Sequence, residues 1–194
     1  MIKNFLIVLI SVNIFLITSV SNNEARIINK GTISTGGSSK ISMSNTNYDK
    51  GGDNTSYSFG GNMGYFIFNN FELGTSFMYF NYDHDDYTSK NYSIGPILIY
   101  HLPLNDSSNI VFNLSAGLSK SEIDDNTDFD FNRDTDGKYI SGGVGFEYFL
   151  HSKVSIDLGL NFNHTKWDYS GNYDSYDDDT SNSISTATGF KIYF

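Results

Sequence analysis

Hydrophobic and polar residues alternate along eight stretches of the chain, a pattern typical of β-strands whose two faces meet different surroundings. The alternation is clearest between Val154 and Asn163, where apolar side chains occupy the even positions and small or polar side chains the odd positions. The predicted strands are residues 32–44, 57–68, 71–82, 92–102, 110–118, 140–150 and 153–165, followed by a C-terminal strand that includes residues 189–194.

Two kinds of connection separate these strands. Three connections are short, and four are long, polar and rich in Asp and Asn. The short ones are residues 69–70, 103–108 and 151–152, and the long ones are residues 45–55, 83–90, 124–137 and 168–180. Short turns at one end and long loops at the other are typical of an up-and-down barrel in an outer membrane.

The second face of the strands distinguishes a membrane barrel from a soluble β-sandwich, which also alternates. In a soluble barrel the large apolar side chains fill the interior. Here the other face consists mainly of Gly, Ser, Asn and charged residues, which could not form a dry core for eight strands. In a small membrane barrel, small and polar side chains fill a narrow lumen and the bulky face meets lipid. The pattern therefore predicts an all-β fold, an eight-stranded antiparallel up-and-down transmembrane β-barrel.

Aromatic residues cluster near the predicted strand ends, where amphipathic rings favour the two headgroup layers of a membrane. The β propensity of aromatic residues explains their number but not this clustering. Tyr57, Tyr79, Tyr82, Tyr92, Tyr139, Trp167 and Tyr169 lie near the long loops, and Tyr65, Phe71, Tyr100, Tyr148, Tyr193 and Phe194 near the short turns.

The first 21 residues resemble a secretory signal peptide rather than part of the fold. Lys3 precedes a 13-residue, largely apolar run, residues 5–17, and Ser19 and Ser21 have the spacing of a signal-peptidase site. A helix needs about 20 apolar residues to cross a bilayer, which disfavours the alternative of an uncleaved anchor. We expect a signal peptide at residues 1–21 and one barrel domain at residues 22–194.

The charge and the cysteine content of the chain exclude several classes of protein and site. The chain has 12 basic and 22 acidic residues, a net charge of −10, so it lacks the basic footprint of a nucleic-acid-binding protein. With no cysteine, it can form neither a disulfide framework nor a thiolate metal site.

Three stretches resemble the small outer-membrane β-barrel domain family of the OmpX/OmpA-like type. They are KGTISTGGS (residues 30–38), which is similar to the opening strand of that family, NMGYFIFNNFELGTSF (residues 62–77), similar to its second hairpin, and SIGPILIYHL (residues 93–102), similar to its fourth strand. The chain departs from the family pattern at Asn69 and Asn70, where the turn usually carries an Asp. The resemblance implies an eight-stranded barrel but no single activity, since such barrels serve as adhesins, structural proteins, receptors and a few enzymes. The C-terminal Phe190, Ile192 and Phe194 are similar to the signature that the outer-membrane assembly machinery reads.

Charged residues occur on the face that the alternation assigns to the lumen. In a narrow lumen an unpaired charge is costly, so opposite charges should pair, with Lys191 opposite Asp157 or Glu147 as a natural pair. We interpret the set as a salt-bridged plug that closes the pore, with a proton or ion path as the alternative. The predicted members are Lys40, Glu72, Glu147, Asp157 and Lys191, with His101 on the same face.

The predicted long loops hold 16 of the 22 acidic residues. Their carboxylates could gather Ca²⁺ loosely, although the sequence lacks the glycine and distal glutamate of an EF-hand loop. The alternative is a solvated acidic surface, and we expect no tightly bound cofactor. The candidate ligands are Asp124, Asp128, Asp130, Asp177, Asp178 and Asp179.

The arrangement of histidines gives little support for an enzyme. No His-x-Ser pair of the lipid A deacylase type occurs, and His84 beside acidic residues is more typical of a solvated loop than of a protease site. We therefore expect a non-enzymatic outer-membrane protein with a role in adhesion, another surface interaction or structure. The alternatives are a small pore for ions or solutes and a lipid-modifying enzyme. The expected partners are outer-membrane lipid or lipopolysaccharide, the assembly machinery and a host or cell-surface ligand, with no nucleic acid and a monomeric state.

Overall fold

The computed structural model describes residues 26–46, 52–84, 87–125, 133–168 and 179–194, which form eight antiparallel strands. Each strand pairs with the next along the chain, and β1 pairs with β8, so that the sheet closes into a barrel. The strands are β1 Ile33–Thr46, β2 Gly52–Phe68, β3 Phe71–His84, β4 Tyr87–Asn105, β5 Ser108–Asp125, β6 Arg133–His151, β7 Val154–Asp168 and β8 Asp179–Tyr193. The predicted eight-stranded up-and-down barrel is confirmed.

The barrel closes through a short register between its first and last strands. Five residues of β1, from Ser34 to Ser38, pair with five residues of β8, from Tyr193 to Gly189. Over these five pairs the two sheet edges are joined, as hydrocarbon requires, because unpaired backbone groups there find no water.

The distribution of side chains is the reverse of that in a soluble protein. In the described part of the chain, 31 large hydrophobic side chains are exposed and only six hydrophobic ones are buried, whereas twelve buried side chains are polar or charged. The outward face of β4 to β7 is a continuous apolar band, in which Leu98, Leu114 and Phe162 are representative. The inward face is polar, as the alternation predicted. No helix long and apolar enough to cross a membrane occurs among the described residues.

The strands reach farther into the predicted long loops than expected. The prediction of a long loop at residues 83–90 is wrong. β3 continues to His84 and β4 begins at Tyr87, and these two residues are cross-strand partners. β5 and β6 likewise enter the segment predicted as residues 124–137. Beyond the membrane the outward face meets water, so the strands there carry polar residues on both faces and resemble loops in sequence.

Some predicted aromatic positions also differ from expectation: Trp167 shares the inward parity of the buried Ser155 and Thr165 on β7, and Tyr169 lies outside the described residues. Tyr193 is buried, and the hydroxyl of Tyr139 on β6 lies 3.5 Å from Ser76 Oγ on β3 across the lumen. Both rings therefore face the interior rather than the headgroup layers, because they occupy the inward parity of their strands. Tyr57, Tyr79 and Tyr92 do face outward, with neighbouring ring centroids 6.0 and 5.1 Å apart.

The segment before β1 closes the short-turn end of the barrel. Its backbone bonds to the β2–β3 turn, where Ile28 N donates to Asn70 Oδ1 at 2.7 Å, and to the end of β4, where Arg26 N donates to Asn105 O at 3.0 Å. The Arg26 guanidinium lies 3.8 Å from the centroid of the Phe149 ring and donates to the Ser152 carbonyl in the β6–β7 turn.

Ile28 is the residue of this segment that enters the barrel. It is buried in one cluster with Phe66, Phe149 and Tyr193, which face the lumen from β2, β6 and β8. An apolar layer thus seals this end of the lumen beneath the polar interior.

We expect Ile28→Ala to lower the free energy of unfolding by about 2–5 kcal/mol, because it removes buried methyl groups and leaves a cavity. Ile27→Ala is the matched control, since Ile27 is 55% exposed, and should change stability by about 0.5 kcal/mol or less. Urea titration of the barrel in lipid vesicles measures both. Equal effects of the two substitutions would show that Ile28 does not seal the barrel.

Candidate functional site: a buried polar cluster in the lumen

A histidine between two carboxylates forms the centre of the lumen. His101 on β4 lies between Glu72 on β3 and Glu147 on β6, with Nε2 3.3 Å from Glu72 Oε2 and Nδ1 2.9 Å from Glu147 Oε2. All three side chains are buried. Inward parity, set by the alternation of each strand, turns the three side chains into the lumen, and the register between the strands brings them to one level.

Glu72 has two further partners from the seam where the barrel closes. Lys191 Nζ on β8 donates to Glu72 Oε2 at 2.9 Å, and Ser34 Oγ on β1 donates to Glu72 Oε1 at 2.7 Å. Gly64 on β2 provides the space, because a Cβ atom there would lie 2.1 Å from Glu72 Oε1. The cluster therefore bonds across the β1–β8 seam.

Glu147 accepts hydrogen bonds from three more strands. Asn109 Nδ2 donates to Oε2 at 2.9 Å and Ser155 Oγ to Oε1 at 2.7 Å. The Tyr193 hydroxyl also donates to Oε1. With Phe66 of β2 packed at 5.3 Å between ring centroids on His101, every strand of the barrel contributes to this polar cluster.

The polar cluster contains two carboxylates with several hydrogen-bond partners each. An ionised carboxylate is an acceptor only. Lys191 supplies an ammonium partner to Glu72, and the side chains of Ser34, Asn109, Ser155 and Tyr193 donate to the two carboxylates. Breaking a buried pair by removing one partner is strongly destabilising, because it leaves a buried charge without compensation.

A small cavity lies in the lumen beside the cluster. That cavity has a volume of about 70 Å³ and is lined in part by Asn113, Asp157, Asn161 and Lys191. Such a polar space can hold a few water molecules.

The structure brings together most of the predicted lumen residues. Glu72, Glu147 and Lys191 meet around His101, whereas Asp157 lines the cavity and the ion pair of Lys191 within 4 Å is with Glu72. The predicted pairing of Lys191 with Asp157 or Glu147 is therefore replaced by one with Glu72. The reason is register and the narrow lumen: Lys191 lies opposite Ser155 on β7, while Asp157 lies opposite Gly189, and the Lys191 side chain reaches Glu72 across the interior. The Lys40 side chain lies outside the described residues.

Sequence reasoning missed the neutral members of the cluster, Ser34, Asn109, Ser155 and Tyr193. The alternation of each strand assigns these four side chains to the lumen, so this part of their placement could have been read from the sequence. Their height along the barrel depends on the register between strands, which a single sequence does not give.

The candidate metal ligands are not brought together in the described part of the chain. There, no group of three or more His, Asp or Glu residues could hold a metal ion. Asp124 instead accepts a 3.0 Å hydrogen bond from Lys90 Nζ. Loose binding of Ca²⁺ stays a prediction, because the side chains of Asp128, Asp130, Asp177, Asp178 and Asp179 lie outside the described residues.

The residues of the predicted assembly signal lie on the outward side of the seam. Phe190 and Phe194 are exposed, and the backbone of Phe194 bonds to Ile33 of β1. Ile192 has the same parity and pairs with Thr35 and Val154. Their recognition by the assembly machinery stays a prediction.

Comparisons with known proteins agree with this architecture. A family model described as the outer membrane protein beta-barrel domain matches residues 17–191. A comparison with curated protein sequences finds no match.

Solved structures of small barrels resemble the fold at low sequence identity. Neisserial surface protein A is 17% identical with a TM-score of 0.52, covering 87% of this chain and 99% of its own. Ail, the attachment invasion locus protein of Yersinia pestis, is 18% identical with a TM-score of 0.51, covering 85% and 99%. The N-terminal β-barrel domain of Pseudomonas aeruginosa OprF is 16% identical with a TM-score of 0.51, covering 86% and 100%.

Lys191→Met should lower the free energy of unfolding by about 3–5 kcal/mol at neutral pH, because Glu72 loses its ammonium partner inside the barrel. The loss should be smaller at acidic pH, where the unpaired carboxylate can take up a proton and become neutral. Urea titrations in lipid vesicles at the two pH values measure both quantities.

Lys153→Met is the matched control, because Lys153 is exposed in the β6–β7 turn. It should change stability by about 0.5 kcal/mol or less. A Lys191→Met barrel as stable as the parent at both pH values would rule out the compensating role of Lys191.

Proposed function

The chain belongs to the outer membrane protein β-barrel domain family, and from this premise we propose that it is a non-enzymatic surface protein that acts in adhesion, in another surface interaction or as a structural component. The protein is located in the bacterial outer membrane, like the eight-stranded barrels that it resembles. Our proposal concerns what it does there.

The observation that carries this proposal is the closed lumen. Hydrogen bonds and ion pairs from His101, Glu72 and Glu147 fill the barrel interior at one level, and the Ile28 layer closes the short-turn end. A barrel blocked in this way provides no path for solutes. Its contacts with other molecules must therefore use its outer surface and its long-loop end.

The strands extend well past the membrane on the long-loop side. β4 and β6 have 19 residues each, whereas about 9–11 suffice to cross a bilayer. Ion pairs connect neighbouring strands in these extensions. Examples are Lys90 with Asp124 at 3.0 Å and Lys120 with Asp134 at 3.1 Å. Hydrogen bonds to Glu122 and Asp134 raise the pKa of Lys120. The extensions thus carry charged groups of both signs, joined in ion pairs.

The chemistry of the lumen favours a non-enzymatic role. His101 uses both ring nitrogens on carboxylates and is fully buried, so it cannot serve as a base for an external substrate. The names of two similar barrels, a surface protein and an attachment protein, are consistent with a surface role. We also propose that the protein is a monomer that the assembly machinery inserts, with no tightly bound cofactor and no nucleic-acid partner.

Purified mature protein should show little or no single-channel conductance in planar bilayers, because the polar cluster closes the lumen. A wider barrel of the porin type measured in the same bilayers is the control for detection. Steady conductance steps that disappear in a variant of the lumen, such as Asn113→Phe at the cavity, would contradict the closed barrel and support a small channel.

Bacteria that produce the full-length protein should adhere to immobilised host matrix proteins more strongly than bacteria that lack it. Neutralising the acidic outer segments, with Asp128→Asn, Asp130→Asn, Asp177→Asn and Asp178→Asn together, should reduce this adhesion severalfold. Asp106→Asn in the β4–β5 turn is the control, because it removes a charge at the opposite end of the barrel. Equal adhesion with and without the protein would contradict a role in adhesion.

A further inference from the structure

On β3 the apolar side chains change from the outward to the inward face near the long-loop end of the barrel. The outward apolar residues end at Tyr79, and the next outward residues are Asn81 and Asp83. The register of β3 with β4 is continuous along the whole strand, so this reversal comes from the sequence and not from a bulge. On the inward face, three residues farther up than the buried cluster are apolar. They form the inner strip, which consists of Met78, Phe80 and Tyr82.

The inner strip is open to solvent although it faces into the barrel. Met78 is 55% exposed and Phe80 is 36% exposed. The cross-strand neighbours of Phe80 are Ser58 on β2 and Asn91 on β4, whose side chains are too short to cover the ring. Contiguous apolar side chains that remain in contact with water mark interaction sites. The inner strip is therefore a candidate binding surface, distinct from the outward apolar band that meets lipid.

Two other strands add apolar side chains to the same opening. Trp167 on β7 has inward parity, and its ring lies so close over Gly137 of β6 that a Cβ atom there would be 2.7 Å from the ring. Ile123 on β5 also has inward parity and is exposed. The inward face of β8 at this end carries serines instead, namely Ser181, Ser183 and Ser185. We call this opening, with an apolar side and a hydroxyl side, the mouth.

The acidic surroundings of the mouth determine the charge of a matching partner. The stretches predicted as long loops, which connect the strands at this end, hold 16 of the 22 acidic residues and three of the 12 basic ones. Lys120, Lys138 and Lys166 reduce this excess of negative charge but do not cancel it. Complementary charge steers a partner to such a surface and disfavours partners of the same sign. The charge thus favours a cationic partner, and the inner strip favours one with an apolar side chain.

We propose that the mouth binds a segment of a partner protein in which an aromatic or aliphatic side chain is flanked by lysines or arginines. The apolar side chain packs on the inner strip as an anchor, and the basic residues lie among the surrounding carboxylates. Apolar anchors within a polar rim carry most of the binding energy in protein interfaces. This inference rests on the proposed surface interaction and names the kind of partner that the interaction takes.

Trp167 is the only tryptophan of the chain, so its fluorescence reports on the mouth. The test titrates the full-length mature protein, in nanodiscs of phosphatidylcholine, with the peptide acetyl-KKFKK-amide. We expect a saturable blue shift of the emission, because the bound anchor removes water from the indole ring. The peptide acetyl-KKSKK-amide lacks the anchor and should bind about tenfold more weakly. The peptide acetyl-EEFEE-amide keeps the anchor and should also bind about tenfold more weakly, because the carboxylates repel it.

M78S with F80S should weaken the binding of acetyl-KKFKK-amide about tenfold. The matched control is M63S with F59S, which replaces the same two residue types on the outward face of β2, where both are exposed. That variant should bind the peptide like the parent. Unchanged affinity in M78S with F80S, or an equal loss in both variants, would overturn the proposal.

The parent protein alone can also contradict the proposal, so a variant that fails to fold does not protect it. Equal affinity for the three peptides, or an emission of Trp167 that none of them shifts, would overturn it. Equal affinity for N-acetylphenylalanine amide, which has the anchor without the lysines, would assign the mouth to a small apolar solute and overturn the partner segment. Adhesion of the bacteria without peptide binding would remove this site and leave the surface role, whereas peptide binding without adhesion would keep the site and contradict adhesion.

Discussion

The closure of the sheet is the constraint on which the rest of this structure depends. In hydrocarbon a backbone amide or carbonyl has no water to bond, so each strand needs two neighbours. Pairing of Ser34–Ser38 with residues 189–193 of β8 meets this need for the first and last strands over five residue pairs. The seam is the shortest ladder of the barrel. It is also where Ser34 and Lys191 bond to the same carboxylate, Glu72.

Closing eight strands leaves a lumen too narrow for large side chains from every strand. Glycines and small polar residues occupy most inward positions, and Gly64 shows why, since Glu72 fills the space where a side chain would be. The remaining interior needs polar groups that satisfy one another, because an unpaired one is costly there. His101 does this by bridging two carboxylates, and the result is a barrel with a solid centre.

Because the polar cluster fills the centre of the barrel, contacts with other molecules must use the outer surface and the long-loop end. Apolar side chains face lipid, lysines follow at the upper edge of the apolar band, and aspartates and glutamates lie beyond them on strands that continue past the membrane. In these extensions, ion pairs such as Lys90 with Asp124 and Lys120 with Asp134 join neighbouring strands.

The sequence by itself determined the number of strands and, for most side chains, the face on which they lie. Alternation with period two is a local pattern, so it can be read within one strand without knowing which strands pair with it. It therefore placed Glu72, His101, Glu147 and Lys191 in the lumen. It misjudged residues 83–90, because a strand with water on its outer face has the composition of a loop. Only the tertiary structure decided which lumen residues meet. The choice of Glu72 over Asp157 as the partner of Lys191, 119 residues away in sequence, follows from closure and register. The sealing role of Ile28 was equally hidden, because no pattern in residues 26–32 distinguishes it from the exposed Ile27 until the short turns surround it.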